Sequence, residues 1–161
     1  MQNIEIERRF LVRTIPEDLK KNPHKRFEQG YLSTEPVLRV RREGEEYVFT
    51  YKGQGLMARE EYNLPLTREA YEHLLPKADG IVIKKIRYFI PEEKGLVIEM
   101  DVFEEDLAPL VIAEVEFADE EQARAYSPPA WFGREITEDH AFSNSAMSRQ
   151  GLPAEWKAAQ S

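Results

Sequence analysis

Acidic and basic residues recur in this sequence as same-sign pairs two positions apart: Glu5/Glu7, Arg39/Arg41, Lys85/Arg87, Glu99/Asp101 and Glu114/Glu116. In an extended chain, residues i and i+2 leave the same face, so each pair would hold like charges side by side. Solvated sheets avoid that arrangement, and five such pairs would arise from independently drawn signs roughly once in thirty trials. Clustered carboxylates, with no cysteine and no histidines at ligand spacing, suit a hard, oxygen-seeking cation such as Mg2+ or Mn2+. Clustered arginine and lysine suit phosphate oxygens, arginine as a bidentate fork and lysine as a point charge. Together the two sets are equipment for phosphoryl chemistry, which relies on positioning and charge neutralisation more than on covalent work.

The elements that must position these residues are strands. Strict alternation runs through residues 3–13, 27–33, 37–43, 46–52, 56–65, 81–90, 96–104 and 110–117, the period of a half-buried strand. Turn signals at Glu43-Gly44, Gly53-Gln54-Gly55, Ala78-Asp79-Gly80 and Lys94-Gly95 leave connections too short for parallel crossovers. Helices are few. One is expected from Thr67 to Pro76, a second after Asp119 with Gln122 three residues on, and a third from Ser143 to Arg149 before Gly151. Residues 20–25 read as loop and 153–161 as a frayed tail. The expected fold is mainly β (α+β), one domain over residues 1–161: an antiparallel sheet of eight strands with a few helices packed outside.

Strand parity puts seven bases and seven acids on one face: Arg9, Arg39, Arg41, Lys52, Arg59, Lys85 and Arg87 against Glu5, Glu7, Glu61, Glu99, Asp101, Glu114 and Glu116. A charged face opposite an apolar one is ordinarily the solvated side of a sheet. Here the charges are segregated by strand, and like charges held together need a counter-ligand, the acids a divalent cation and the bases a polyanion. A closed sheet of about eight strands is just wide enough for a slender ligand. The residues alone therefore point to a metal-dependent polyphosphate site in a small barrel.

Composition narrows the field. The chain has 161 residues, 42% of them hydrophobic and 32% charged, with a net charge of −8. That sign argues against a non-specific nucleic-acid binder. Zero cysteines exclude disulfides, thiolate zinc and thiol catalysis. Met1 to Val12 carries Glu5, Glu7, Arg8 and Arg9, unlike a signal peptide or a membrane span, so a cytoplasmic place is expected. His24, His73 and His140 lie far apart and read as surface or packing residues, and Tyr31 as core.

In order along the chain, the elements Glu5-Ile-Glu-Arg-Arg9, Arg39-Val-Arg41, Tyr51-Lys52, Arg59-Glu-Glu61, Lys85-Ile-Arg87, Glu99-Met-Asp101, Glu114-Val-Glu116, Trp131-Phe-Gly-Arg-Glu-Ile-Thr137 and Phe142-Ser-Asn144 resemble those of the CYTH domain, the triphosphate tunnel metalloenzyme superfamily. The resemblance implies a topologically closed eight-stranded tunnel that binds a triphosphate. It implies metal ligation, by one or two Mg2+ or Mn2+ ions, at Glu5, Glu7, Glu114 and Glu116, with Glu99 and Asp101 completing the acidic side. Arg39, Arg41, Lys52, Arg59, Lys85 and Arg87 would line the phosphate chain. Glu5, Glu7, Arg9, Glu61, Glu99 and Asp101 are the expected catalytic set, a second ion or one of Glu61, Glu99 and Asp101 activating water.

Two positions depart from the pattern. Arg9 replaces the lysine of the E-x-E-x-K signature; arginine keeps the charge but cannot deprotonate, so it reads as a phosphate binder. Asn63 stands where members often carry an acid, which implies a looser second metal site. The implied activity is hydrolysis of inorganic triphosphate to pyrophosphate and phosphate by a single-domain enzyme, with a homodimer as the expected assembly. Two alternatives share the tunnel: a class IV-type adenylate cyclase and a polyphosphate- or nucleotide-binding module without turnover.

Overall fold

Residues 4–160 are described by the computed structural model, 158–160 as backbone only. Position 3, the first of the expected opening strand, lies outside them, as does 161. The alternating segments form β1 (Ile4–Val12), β2 (His24–Thr34), β3 (Val37–Glu43), β4 (Glu46–Lys52), β5 (Ala58–Pro65), β6 (Asp79–Pro91), β7 (Val97–Phe103) and β8 (Val111–Phe117), with a short β9 (Phe132–Glu135). Helices α1 (Arg68–Leu74), α2 (Glu120–Ala125), α3 (Asn144–Gln150) and α4 (Ala154–Gln160) complete the chain.

The strands lie in the order β5-β4-β3-β2-β6-β7-β8-β1, and β1 pairs back onto β5, closing an eight-stranded antiparallel barrel. One edge of β1 pairs with β8 from Ile6 to Leu11. Its other edge is divided: Ile4 to Ile6 pair with β5, and Phe10 and Val12 pair with β9.

Two apolar clusters coat the outside. Phe10, Ile98, Val115 and Phe117 pack with Phe132 and with Ala123 of α2, and Tyr88 and Met100 pack with Leu19. A third cluster lies inside the barrel. Tyr31, Ile83, Phe103 and Ile112 share strand parity with Gln29, Lys85, Asp101 and Glu114, and with Phe142 and Met147 they fill one side of the lumen. The lumen is thus part apolar core and part charged site.

The expected caps form. Thr67 Oγ1 accepts from Ala70 N at 3.0 Å, Asp119 Oδ1 from Gln122 N at 2.7 Å and Ser143 Oγ from Ala146 N at 3.1 Å. Gly80, at φ +69, is required by close approach: a Cβ there would stand 2.1 Å from the Ser148 carbonyl oxygen, so glycine lets α3 lie against β6.

Four expectations are corrected. His24 and Lys25, within the stretch read as loop, begin β2 and pair with Tyr88 and Arg87 of β6; the segment is polar and exposed, so hydropathy gave no signal. Asp79-Gly80, read as a turn, begins β6. β9 went unrecognised because four residues carry too little alternation. Residues 154–160, read as fraying, form α4: Trp156 packs on the inner cluster and Arg134 Nη2 meets Glu155 Oε1 at 2.8 Å. Among the described residues no helix is long and apolar enough to cross a membrane.

Candidate active site

A cavity of about 330 Å3 runs into the lumen, walled by the inward residues of β1 and β3–β5 and reached by Arg87, Glu99 and Glu114 from the opposite wall. Its mouth is formed by the turns at 34–37 and 53–56 and by the segment 137–145 that leads into α3. The strands set the side-chain order: Glu7 faces Glu116 and Arg9 faces Glu114 across β1–β8, Glu5 faces Arg59 across β1–β5, and Lys52 faces Glu61 across β4–β5.

The acids and bases are not used alike. Asp101, fully enclosed, accepts from Arg87 Nε at 2.7 Å, Arg87 Nη2 at 2.9 Å and Lys85 Nζ at 2.7 Å. Lys85 Nζ also donates to Asn144 Oδ1 at 3.2 Å, which ties α3 to the barrel. Arg87 reaches further, to Glu99 Oε2 at 3.3 Å and Glu114 Oε2 at 3.7 Å. Arg9 Nε lies 3.3 Å from Glu114 Oε1, and Lys52 Nζ lies 2.9 Å from Glu5 Oε1 and 3.8 Å from Glu61 Oε2. Arg39 has a neutral partner: Nη2 donates to Thr50 Oγ1 at 3.1 Å, Thr50 to Asn63 Oδ1 at 2.6 Å, and Asn63 Nδ2 to Glu61 Oε1 at 3.1 Å. Two buried guanidinium nitrogens, Arg9 Nη2 and Arg39 Nε, have no hydrogen-bond partner among the described residues.

Electrostatics follow this geometry. Burial, then the charge of Glu114, holds the Glu7 carboxyl well above its usual range. Burial opposes ionisation of Glu114 too, but Arg87 and Arg9 outweigh it and hold that group well below. Burial also disfavours the Glu5 charge, yet the hydrogen bond from Glu61 and the Lys52 ammonium bring it down to about 2. Burial and the shared proton with Glu5 push Glu61 up to about 7. Arg41, desolvated and close to Arg39 and Arg87, is lowered to about 10.

Eleven of the fourteen expected site residues line the cavity: Glu5, Glu7, Arg9, Arg39, Arg41, Lys52, Arg59, Glu61, Arg87, Glu99 and Glu114. Lys85 and Asp101 lie behind that wall, completely enclosed. There Asp101 buttresses Arg87, and Lys85 joins Asp101 to α3. Glu116 is exposed and borders a separate, shallower hollow that Glu99 also reaches. Sequence reasoning missed Phe27, Gln29 and Thr50, which support the arginines, and Thr137, Ser143, Ser145 and His140, which line the mouth. The parity of β2 was signal enough for Phe27 and Gln29, whereas His140 stands outside any periodic element.

A divalent cation fits this donor set. Glu7 is a buried carboxylate without an ion pair among the described residues, beside Glu114 and opposite Glu116, and every donor is an oxygen. The described residues hold no ready cage of three acids, since Glu5 and Glu114 are engaged by Lys52, Arg9 and Arg87.

A closed antiparallel tunnel with carboxylates and guanidiniums facing one cavity defines a class of protein built for a polyanion and a metal together. The chain belongs to the CYTH domain family, whose model matches residues 3–147. It is 41% identical to the inorganic triphosphatase of Nitrosomonas europaea, across 89% of this chain and 96% of that protein. It is 35% identical to the inorganic triphosphatase of Acetivibrio thermocellus, across 89% and 92%. A crystal structure of an inorganic triphosphatase, 39% identical, superposes with a TM-score of 0.67, covering 89% of this chain and 93% of its own.

Proposed function

We propose that this chain hydrolyses inorganic triphosphate to pyrophosphate and phosphate in a metal-dependent reaction. The observation that carries the reading is one cavity bearing both a buried carboxylate, Glu7, and two guanidiniums, Arg9 and Arg39, with nitrogens that have no partner among the described residues, where Glu7 also has no ion pair. A phosphate chain bound with a cation would satisfy both at once. The likeness to two inorganic triphosphatases along nearly their whole length supports the same substrate.

Glu7, with Glu5, Glu114 and Glu116, would hold Mg2+ or Mn2+, which would polarise a phosphoryl oxygen and neutralise its charge. Arg9, Arg39 and Arg41 bind the non-bridging oxygens, and their donors suit the charge that gathers there in the transition state. Arg87, fixed by Asp101, holds Glu114 and Glu99 in place. Lys52 keeps Glu5 ionised. Glu61, on the cavity wall and raised to about 7, would accept a proton from the attacking water. We assign the reaction to the cytoplasm.

The test is phosphate release from tripolyphosphate, ATP and thiamine triphosphate, each with Mg2+, Mn2+ or chelator. Metal-dependent release, fastest from tripolyphosphate, is expected. No release from any of the three, or cyclic AMP made from ATP, would overturn the reading.

A further inference from the structure

The inward cations are held in two different ways. Arg87 is committed to carboxylates, with Asp101 at 2.7 and 2.9 Å and Glu99 at 3.3 Å. Arg41, buried to the same degree, is held mainly by neutral groups. Gln29 Oε1 accepts from its Nε at 2.8 Å, and its guanidinium lies 4.8 Å from the centre of the Phe27 ring. Its carboxylate contact among the described residues is Glu43 Oε1, 3.2 Å from Nη1.

Both neutral supports come from β2, which lies between β3 and β6, two strands that each present a basic pair to the lumen. An acid facing inward from β2 would cancel those charges. The buried part of that inward row is instead Phe27, Gln29 and Tyr31, all uncharged, while Lys25 of the same parity is exposed. The Phe27 ring is within cation–π distance of Arg41, of Arg87 at 4.9 Å and of Lys85 at 5.9 Å, so it attracts the cations without neutralising them. Gln29 Nε2 donates to Tyr31 Oη at 2.8 Å, which turns the amide oxygen towards Arg41.

We propose that Phe27 and Gln29 are positioning residues for the substrate, holding Arg41 at the cavity wall beside Arg39 while leaving its charge free to meet a phosphate. The inference rests on the triphosphate reading of the cavity and names residues outside that cavity's wall.

The test is calorimetric titration of tripolyphosphate into the metal-free protein, with KM and kcat measured in Mg2+, for wild type, Phe27→Leu and Gln29→Glu. Phe27→Leu, which removes the ring at similar bulk, is expected to weaken binding about tenfold. Gln29→Glu gives Arg41 a second carboxylate partner, beside Glu43, and is expected to weaken binding by more than about tenfold, with a melting temperature at or above that of wild type. Both changes should raise KM and leave kcat within about threefold of wild type. A purely structural role predicts no loss of affinity in a variant that melts no lower. Wild-type affinity in Gln29→Glu, or a fall in kcat at unchanged KM, would overturn the inference, and that variant decides alone if Phe27→Leu does not fold. Wild-type protein that neither binds tripolyphosphate nor releases phosphate from it in Mg2+ would overturn the triphosphate reading itself.

Discussion

Arg87 clasps Asp101 with two parallel hydrogen bonds, Nε to Oδ1 at 2.7 Å and Nη2 to Oδ2 at 2.9 Å, wholly inside the barrel. Lys85 completes the cluster from the other side of the same carboxylate. Removing one charge from a buried cluster leaves the others uncompensated, at a cost of about 3–5 kcal/mol. Asp101→Asn should therefore lose stability on that scale in urea unfolding and lose activity indirectly. A variant of wild-type stability would show that Lys85 and Arg87 do not depend on Asp101.

Glu7 makes opposite predictions for activity and stability. Its carboxylate is buried, without an ion pair among the described residues, and repelled by Glu114. Glu7→Gln should abolish metal-dependent phosphate release while raising the metal-free melting temperature, by an amount that corresponds to about 1 kcal/mol or more. Metal should then no longer stabilise the variant, because the increment reflects ligation. Activity near wild type would remove Glu7 from the metal set.

Arg39 has no acidic partner among the described residues, and one of its nitrogens is unsatisfied. Arg39→Ala should raise KM for tripolyphosphate by about 10- to 100-fold, the range of a charge-assisted hydrogen bond, with little loss of stability. Steady-state kinetics beside thermal melts would separate this from a folding defect.

The Glu5–Glu61 pair predicts how metal-free stability follows pH. Glu61 is raised from 4.5 to about 7, so the fold keeps a proton that the unfolded chain releases. Its contribution is full below pH 4.5 and is lost as pH rises through about 7. Glu5 is lowered to about 2, and its contribution is present above its ordinary pKa and lost as pH falls through the lowered one. Melting temperatures in chelator should thus decline between pH 4.5 and about 7 from the Glu61 contribution, and Glu61→Gln should flatten that decline. An unchanged slope would show that Glu61 does not hold the proton.

The lumen was legible because β-strand alternation is strict and charges are conspicuous. Glu5, Glu7 and Arg9 had to share a face, and so did Arg39 and Arg41. Which of those charges meet the cavity was not legible, because it depends on depth along the barrel. Asp101 and Glu99 are two residues apart on one strand, yet one is enclosed and the other reaches the cavity. Parity cannot separate them, since the distinction comes from the apolar plug of Phe103, Ile112, Phe142 and Met147 that fills one side. β9 and α4 were missed for another reason. Their stability comes from partners distant in sequence, β1 for Phe132–Glu135 and Arg134 for Glu155, rather than from any local pattern.

The divided edge of β1 sets where this barrel can breathe. Among the described residues its seam with β5 runs over the pairs from Ile4 to Ile6, whereas β8 grips the same strand from Ile6 to Leu11. Amide hydrogens of the seam should exchange with solvent ahead of those at the β8 junction. Each such opening would draw Glu5 away from Lys52 and leave Glu7 opposite Glu116. The stave that closes the wall also carries the first acids of the site, so the barrel cannot leak there without briefly dismantling its own chemistry.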